Sequence, residues 1–293
     1  MPFIKTRDDT DLYVKDWGAG RPVVLIHGWP LSSDMWDAQA MAIADAGFRV
    51  IAYDRRGFGR SGQPWTGYDY DTLTDDLADV LEATGATENV TLVGFSMGGG
   101  EVARYMSRYQ GKGVVSAALL GSVVPYMLKT DDNPNGVPEE TLQDIAAGIR
   151  KDRAHFFRST FLPQFFGVGY ISSPVSEEVL DANFNIAMQA SLKATLACAD
   201  SFGHTDFRPD LASFSVPTLV IHGTSDQTVP IDATGRAAAK GISGAQLVEY
   251  DGEPHGFAET AGERLTKDLL TFLGDPGQRS FVAANNSSDA LVV

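Results

Sequence analysis

The stretch Val90–Tyr109, "VTLVGFSMGGGEVARYMSRY", passes from an unbroken apolar run through small residues into helical spacing. Its first six residues read as a strand buried on both faces. From Gly99 onward the pattern is that of a helix. Between them, Gly94 to Gly98 spells G-x-S-x-G. That pentad alone is a weak signal, and a turn serine before a helix is its ordinary alternative. A strand leading in and a helix leading out turn it into a nucleophile elbow. The serine of an elbow takes strained backbone angles, so its flanking positions must be small, as Gly94 and Gly98 are. Gly99 and Gly100 then allow the helix to pack closely on the sheet. Ser96 stands near the helix N-terminus, where main-chain N–H groups stabilise negative charge.

The same alternation extends along the chain. "PFIKT" and "DLYVKDW" predict an opening hairpin. "PVVLIHG", "FRVIAYD", "VVSAALLG", "PTLVIHG" and "AQLVEYD" are compact Val/Ile/Leu runs bounded by turn residues, and helical patterns fall among them. Strand and helix in alternation predict an α/β fold: a mostly parallel sheet flanked by helices, with right-handed crossovers. The alternation breaks between Val124 and Asp206, where a helical, phenylalanine-rich segment, "HFFRSTFLPQFFGVGY", reads as an insertion. These phenylalanines can line a pocket or pack the insertion on the core. The expected division is a core of residues 1–124 and 206–274, a helical cap at 125–205 and a flexible tail at 275–293.

Composition narrows the function. The 293 residues carry 23 basic against 38 acidic side chains, a net charge of -15. Such a surface repels phosphate backbones, so no nucleic-acid partner is expected. No apolar run reaches membrane-spanning length, and the first residues lack a basic start and an apolar signal core, so a cytoplasmic location without membrane association is expected. The single cysteine, Cys198, excludes an internal disulfide and a thiolate zinc site; its apolar surroundings mark it as a buried, inert thiol.

A serine nucleophile needs a base, and the chain has five histidines. His27, His222 and His255 are each followed by glycine, so local motif does not choose among them. Chain order does: after an elbow serine the acid comes next and the histidine last, on loops following later strands. His255, in "YDGEPHGF", follows the final strand and is the expected base. His222 ends "PTLVIHG" and is read as a structural strand-end residue. Asp226, in "HGTSDQTVP", is the expected acid, since a carboxylate there can fix the tautomer of His255. Asp251 and Glu253 share the loop of His255 and read as solvated charges. Ser122 occupies the other position where an acid could stand. The run "GFGRSG", Gly57 to Gly62, has dinucleotide-binding spacing. It leads into Pro64 and Gly67 rather than a helix, so it reads as a tight loop.

With Ser96, Asp226 and His255 in order, the chain resembles the α/β-hydrolases over most of its length. "HGWPLSSDMW", "YDRRGFGRSGQPW", "GFSMGGGEVARY", "SLKATLACADSF", "TDFRPDL" and "PTLVIHGTSDQTVP" narrow the likeness to bacterial arylesterases, also called cofactor-free haloperoxidases or perhydrolases. The resemblance implies a serine esterase without metal or other cofactor, acting on small esters through an acyl-enzyme. Hydrogen peroxide can replace water in the second step and give a peracid that oxidises halide in solution. The resemblance also implies oxyanion donors at the N–H groups of Trp29 and Met97, and a trimeric or hexameric assembly. Substrate contacts are expected at Trp29, Pro30, Phe95, Phe161, Phe202, Thr228 and Phe257. Proline after this tryptophan is associated among relatives with stronger perhydrolysis, and relatives often carry an apolar residue where Thr228 stands. A lactonase or γ-lactamase, or a carbon–carbon bond hydrolase, would use the same triad, because specificity lies in the cap. A binding protein that kept only the fold would not need the triad.

Overall fold

The apolar runs become the strands of one eight-stranded sheet in the computed structural model, which describes residues 2–171 and 175–274. β1 (Phe3–Lys5) and β2 (Asp11–Gly18) form the expected antiparallel hairpin at one edge. β3 (Pro22–Ile26), β4 (Arg49–Tyr53), β5 (Val90–Phe95), β6 (Val114–Leu120), β7 (Thr218–Gly223) and β8 (Gln246–Tyr250) follow. The spatial order is β1-β2-β4-β3-β5-β6-β7-β8. The β2–β4 pair is antiparallel, and every pair from β4 to β8 is parallel. All residues of β5 and β7 are buried, which is why these runs lack the polar alternation of a half-exposed strand.

Helices α1 (Asp37–Asp45), α2 (Tyr70–Thr84) and α3 (Met97–Arg108) connect β3 through β6. The α2 helix is bounded by chemistry visible in the sequence. The Asp69 side chain accepts from the Thr72 N–H, and Gly85 closes the last turn at a φ of 67°. Between β6 and β7 the chain makes α4 (Glu139–His155), a wide π-type turn at Phe156–Phe161, α5 (Leu162–Phe165), α6 (Glu177–Gln189) and α7 (Leu192–His204). This excursion coincides with the break in alternation. The chain ends its described part with α8 (Gly235–Gly241), α9 (Phe257–Thr260) and α10 (Gly262–Gly274). The tail at 275–293 lies outside the described residues.

Sheet order decides where a site can form. From β3 the chain steps outward to β4, then returns past β3 to β5, so β3 and β5 flank a reversal of direction. Loops leaving the carboxyl ends of neighbouring strands there diverge and open a crevice, the usual ligand position in such sheets. The register keeps those ends level: Ile26 pairs with Gly94, Phe95 with Leu120, and Leu120 with Ile221.

Two other readings have structural outcomes. Gly57 N–H donates to Gly62 O at 2.8 Å, closing "GFGRSG" into a tight loop. Carboxylates hold the arginines beside and within it: buried Arg56 bridges Asp8 and Asp76, and exposed Arg60 binds Asp54 and Asp34. Cys198 is fully buried, and burial pushes its thiol up to about 12. No helix among the described residues is long and apolar enough to cross a membrane.

Candidate active site

Ser96 leaves β5 with φ 53° and ψ -118°, a conformation that costs an L-residue energy and survives only where its surroundings enforce it. They do so through the main chain. Ser96 N–H donates to Leu120 O at 2.8 Å, while Ser96 O accepts from Gly99 at 3.1 Å and Val123 at 3.3 Å. The small flanking residues are obligatory. A Cβ on Gly94 would stand 2.5 Å from Gly98 O, and one on Gly98 would stand 2.5 Å from Ile26 O. The Ser96 hydroxyl makes no capping bond to its own helix and is left for another partner.

That partner is His255, whose Nε2 lies 2.9 Å from Ser96 Oγ. Its Nδ1 lies 2.5 Å from Asp226 Oδ2. The order Ser96–His255–Asp226 therefore forms one continuous hydrogen-bonded line across residues from β5, β7 and β8 loops. All three are buried, with His255 1% exposed. The Asp226 carboxylate accepts at both oxygens: Oδ1 takes the main-chain N–H groups of Thr228 (2.8 Å) and Val229 (2.7 Å). Burial acts to push the Asp226 carboxyl up. The His255 and His222 rings outweigh it and hold the group well below the usual carboxylate range. His222, read from sequence as a strand-end residue, packs its Nε2 3.0 Å from Val229 O and 3.2 Å from Asp226 Oδ2. It thus braces the acid as well as the strand end.

The loop leaving β3 lies beside the serine, since a Cβ on Gly28 would come 3.0 Å from Ser96 Cβ. The main-chain N–H groups of Trp29 and Met97 have no partner among the described residues. A buried network ties their two supports together. Arg55, at the end of β4, donates to His27 O at 2.7 Å and through Nε to Glu101 Oε1 at 2.6 Å. Glu101 lies one turn after Met97 and also accepts from the Tyr53 hydroxyl at 2.5 Å. His27 is fully buried; burial, with the Arg55 charge adding to it, pushes the ring down to about 3. It is neutral, and its Nε2 accepts from Arg55 N–H at 2.9 Å.

Ser96 and His255 open into a cavity of about 420 Å³. Trp29, Phe161, Phe202 and Thr228 line it. The Trp29 indole donates to Thr195 O at 3.0 Å and meets Phe157, Phe161 and Phe202 edge-on. Pro30, Phe95 and Phe257 are outside the cavity wall: Pro30 is buried after a cis peptide bond, Phe95 packs 5.1 Å from the His255 ring, and Phe257 supports Phe95. The phenylalanines of the insertion divide between the two roles open to them. Phe156 and Phe161 face the cavity, whereas Phe165 packs on His255 and Phe166 on Phe165. Sequence reasoning missed Val123, Met127, Val137, Leu142 and Ile145 on the same wall. Spacing of three and four along α4 marks Leu142, Ile145 and Ile149 as an inward face. Nothing local marks Met127 or Val137. A separate surface hollow of about 570 Å³ lies beyond Leu142, beside Trp65, and holds none of the triad residues. No group of three His, Cys, Asp or Glu side chains among the described residues is arranged to hold a metal.

Comparison with known proteins agrees with this fold. A family model described as alpha/beta hydrolase fold matches residues 21–261. A non-heme chloroperoxidase of Kitasatospora aureofaciens is 46% identical over 275 residues, covering 93% of this chain and 99% of that relative. A bifunctional esterase/perhydrolase of Acinetobacter calcoaceticus is 41% identical over 275 residues, with the same coverage. Among solved structures, a bromoperoxidase from Bacillus anthracis superposes with a TM-score of 0.88 at 46% identity, covering 91% of this chain and 96% of that one.

Proposed function

Because this chain belongs to the alpha/beta hydrolase family, we propose that its buried line of serine, histidine and aspartate hydrolyses small esters and, with hydrogen peroxide, makes peracids. The protein is an enzyme, a serine esterase with perhydrolase and indirect haloperoxidase activity. The observation that carries the reading is the unbroken contact from Ser96 Oγ through His255 to Asp226 at the foot of an apolar cavity.

In the proposed mechanism Ser96 Oγ attacks the ester carbonyl as its proton passes to His255 Nε2. The Trp29 and Met97 N–H groups receive the oxyanion. Asp226 keeps the proton on Nδ1, so that Nε2 presents its lone pair to the serine, and it stabilises the imidazolium that forms. His255 then returns the proton to the departing alcohol. Water, activated by the same ring, cleaves the acyl-enzyme and restores Ser96. When hydrogen peroxide attacks instead, the acyl group leaves as a peracid, and that product oxidises halide away from the protein. Residues 125–205 act as a cap that shapes the acyl and alcohol pockets. Assembly as a trimer or hexamer and a cytoplasmic location belong to the same proposal.

The test is hydrolysis of p-nitrophenyl acetate, and bromination of an indicator dye in acetate, peroxide and bromide. Both activities are expected to vanish in Ser96→Ala and to persist in EDTA. Undiminished turnover by Ser96→Ala would overturn the reading.

A further inference from the structure

Two spaces meet at one residue. Leu142 lines the catalytic cavity of about 420 Å³ and also the surface hollow of about 570 Å³ beside Trp65, and among the described residues it alone lines both. The helical period of α4 explains the arrangement. Thr141, Ile145 and Gly148 stand on the side of the helix toward the cavity, and Gln143, Ala146 and Arg150 on the side toward the hollow. Between them runs the buried stripe of Leu142 and Ile149, two turns apart. Helix α7, on which α4 packs, divides in the same way: Phe202 lines the cavity, and Ser201 and His204 line the hollow. Leu142 is seated on α7 at Gly203, where a Cβ would stand 2.8 Å from its Cδ1. On the hollow side the same two helices are tied by Glu139, whose Oε2 lies 2.9 Å from His204 Nε2. Leu142, itself 8% exposed, is thus the shared wall of the two spaces.

From this we infer that Leu142 is a specificity residue: it closes the catalytic cavity off from the hollow and so limits the chain length of one arm of the ester. This rests on the esterase reading above and names a substrate class within it, esters with one short arm. An ester held at Ser96 sends two arms away from the reacting carbon. The exposed Thr141, Asp144 and Gln164 mark the rim of the cavity, through which one arm can lead to solvent. An arm directed at the seam of α4 and α7 meets Leu142 instead, and a packed apolar wall rejects surplus methylenes by overlap. Beyond that wall the hollow carries Leu196, Ala197 and Ala199, an apolar lining that can take an alkyl chain once the partition is shortened.

The experiment compares kcat/KM in wild type, Leu142→Ala, Leu142→Val and Ile149→Ala. One pair, p-nitrophenyl octanoate against p-nitrophenyl acetate, lengthens the acyl arm. The other, octyl acetate against ethyl acetate, lengthens the alcohol arm. In wild type the long-to-short ratio is expected to be low on one arm, which identifies the arm that points at the seam. Leu142→Ala is expected to raise that ratio about tenfold, the low end of what one methylene decides in an apolar pocket. Leu142→Val should raise it less, and it keeps the test open where the larger truncation does not fold. Ile149→Ala shortens the same buried stripe but lines neither space, so both ratios should stay as in wild type. Filling the hollow with Ala146→Phe should cancel the gain of Leu142→Ala. The inference is overturned by ratios that neither Leu142 variant moves, by an equal gain on both arms or in Ile149→Ala, or by a gain that survives Ala146→Phe. The esterase reading then stands so long as acetates are hydrolysed and Ser96→Ala is dead. Failure of wild type on every ester overturns both.

Discussion

Replacing Asp226 by asparagine tests how the carboxylate works, because the structure leaves the amide no acceptable orientation. Asp226 accepts four contacts: Thr228 and Val229 N–H at Oδ1, and the His255 and His222 rings at Oδ2. If the amide oxygen keeps the two main-chain donors, its NH2 faces His255 Nδ1. The ring must then shift its proton to Nε2, where it points at Ser96 Oγ and the base has lost its lone pair. If the amide is reversed, its NH2 opposes two N–H groups 2.7 and 2.8 Å away, leaving buried donors unpaired. The first orientation sacrifices one contact rather than two, so the wrong tautomer wins. A triad in that state loses about 10⁴ in kcat, on the order of 5 kcal/mol of barrier. Stability should fall by about 1–3 kcal/mol, the cost of an unsatisfied buried group. Steady-state hydrolysis of p-nitrophenyl acetate measures the first quantity and urea unfolding the second. A folded Asp226→Asn enzyme within tenfold of wild-type kcat would refute the tautomer argument.

Three other perturbations follow from the same geometry. Gly28→Ala puts a Cβ 2.8 Å from the Phe95 ring and 3.0 Å from Ser96 Cβ. It should displace the Trp29 N–H and lower kcat by about 10², and unchanged kcat would detach that loop from catalysis. Glu101→Gln leaves the Arg55 charge buried without its counter-ion, a loss of about 3–5 kcal/mol that lowers Tm by roughly 10 °C; a shift under about 2 °C in thermal unfolding contradicts it. His27 is neutral in the fold with its ring pushed down to about 3, whereas the unfolded chain protonates it near the ordinary value of about 6.5. Its contribution is complete above that ordinary value and declines as pH falls toward about 3, by up to roughly 1.4 kcal/mol per pH unit. Urea midpoints measured from pH 7 to pH 4.5 should therefore fall more steeply in wild type than in His27→Gln, and parallel slopes would argue against a buried neutral ring.

What the chain sequence determined is what depends on near neighbours or on order along the chain. Runs such as "VTLVGF" are buried strands because apolar residues on both faces leave no side for water. The elbow is legible because Ser96 needs small residues at Gly94 and Gly98, both within two positions of it. Chain order assigned the roles of Ser96, Asp226 and His255, and the 2.5 and 2.9 Å contacts bring those residues together. What only tertiary structure decided is which distant groups meet and which are left alone. Arg55 finds Glu101 across 46 positions, His222 turns onto the triad acid, and Met127 and Val137 come to line the cavity that holds Ser96. Among the phenylalanines of one segment, packing sends some to the cavity and others to the core. Thr228 is the clearest case. Its sequence neighbours give it an ordinary loop setting, and only the closing of the wall around it leaves its hydroxyl buried and, among the described residues, unpaired. Pairing is a property of three-dimensional surroundings, which no local pattern encodes.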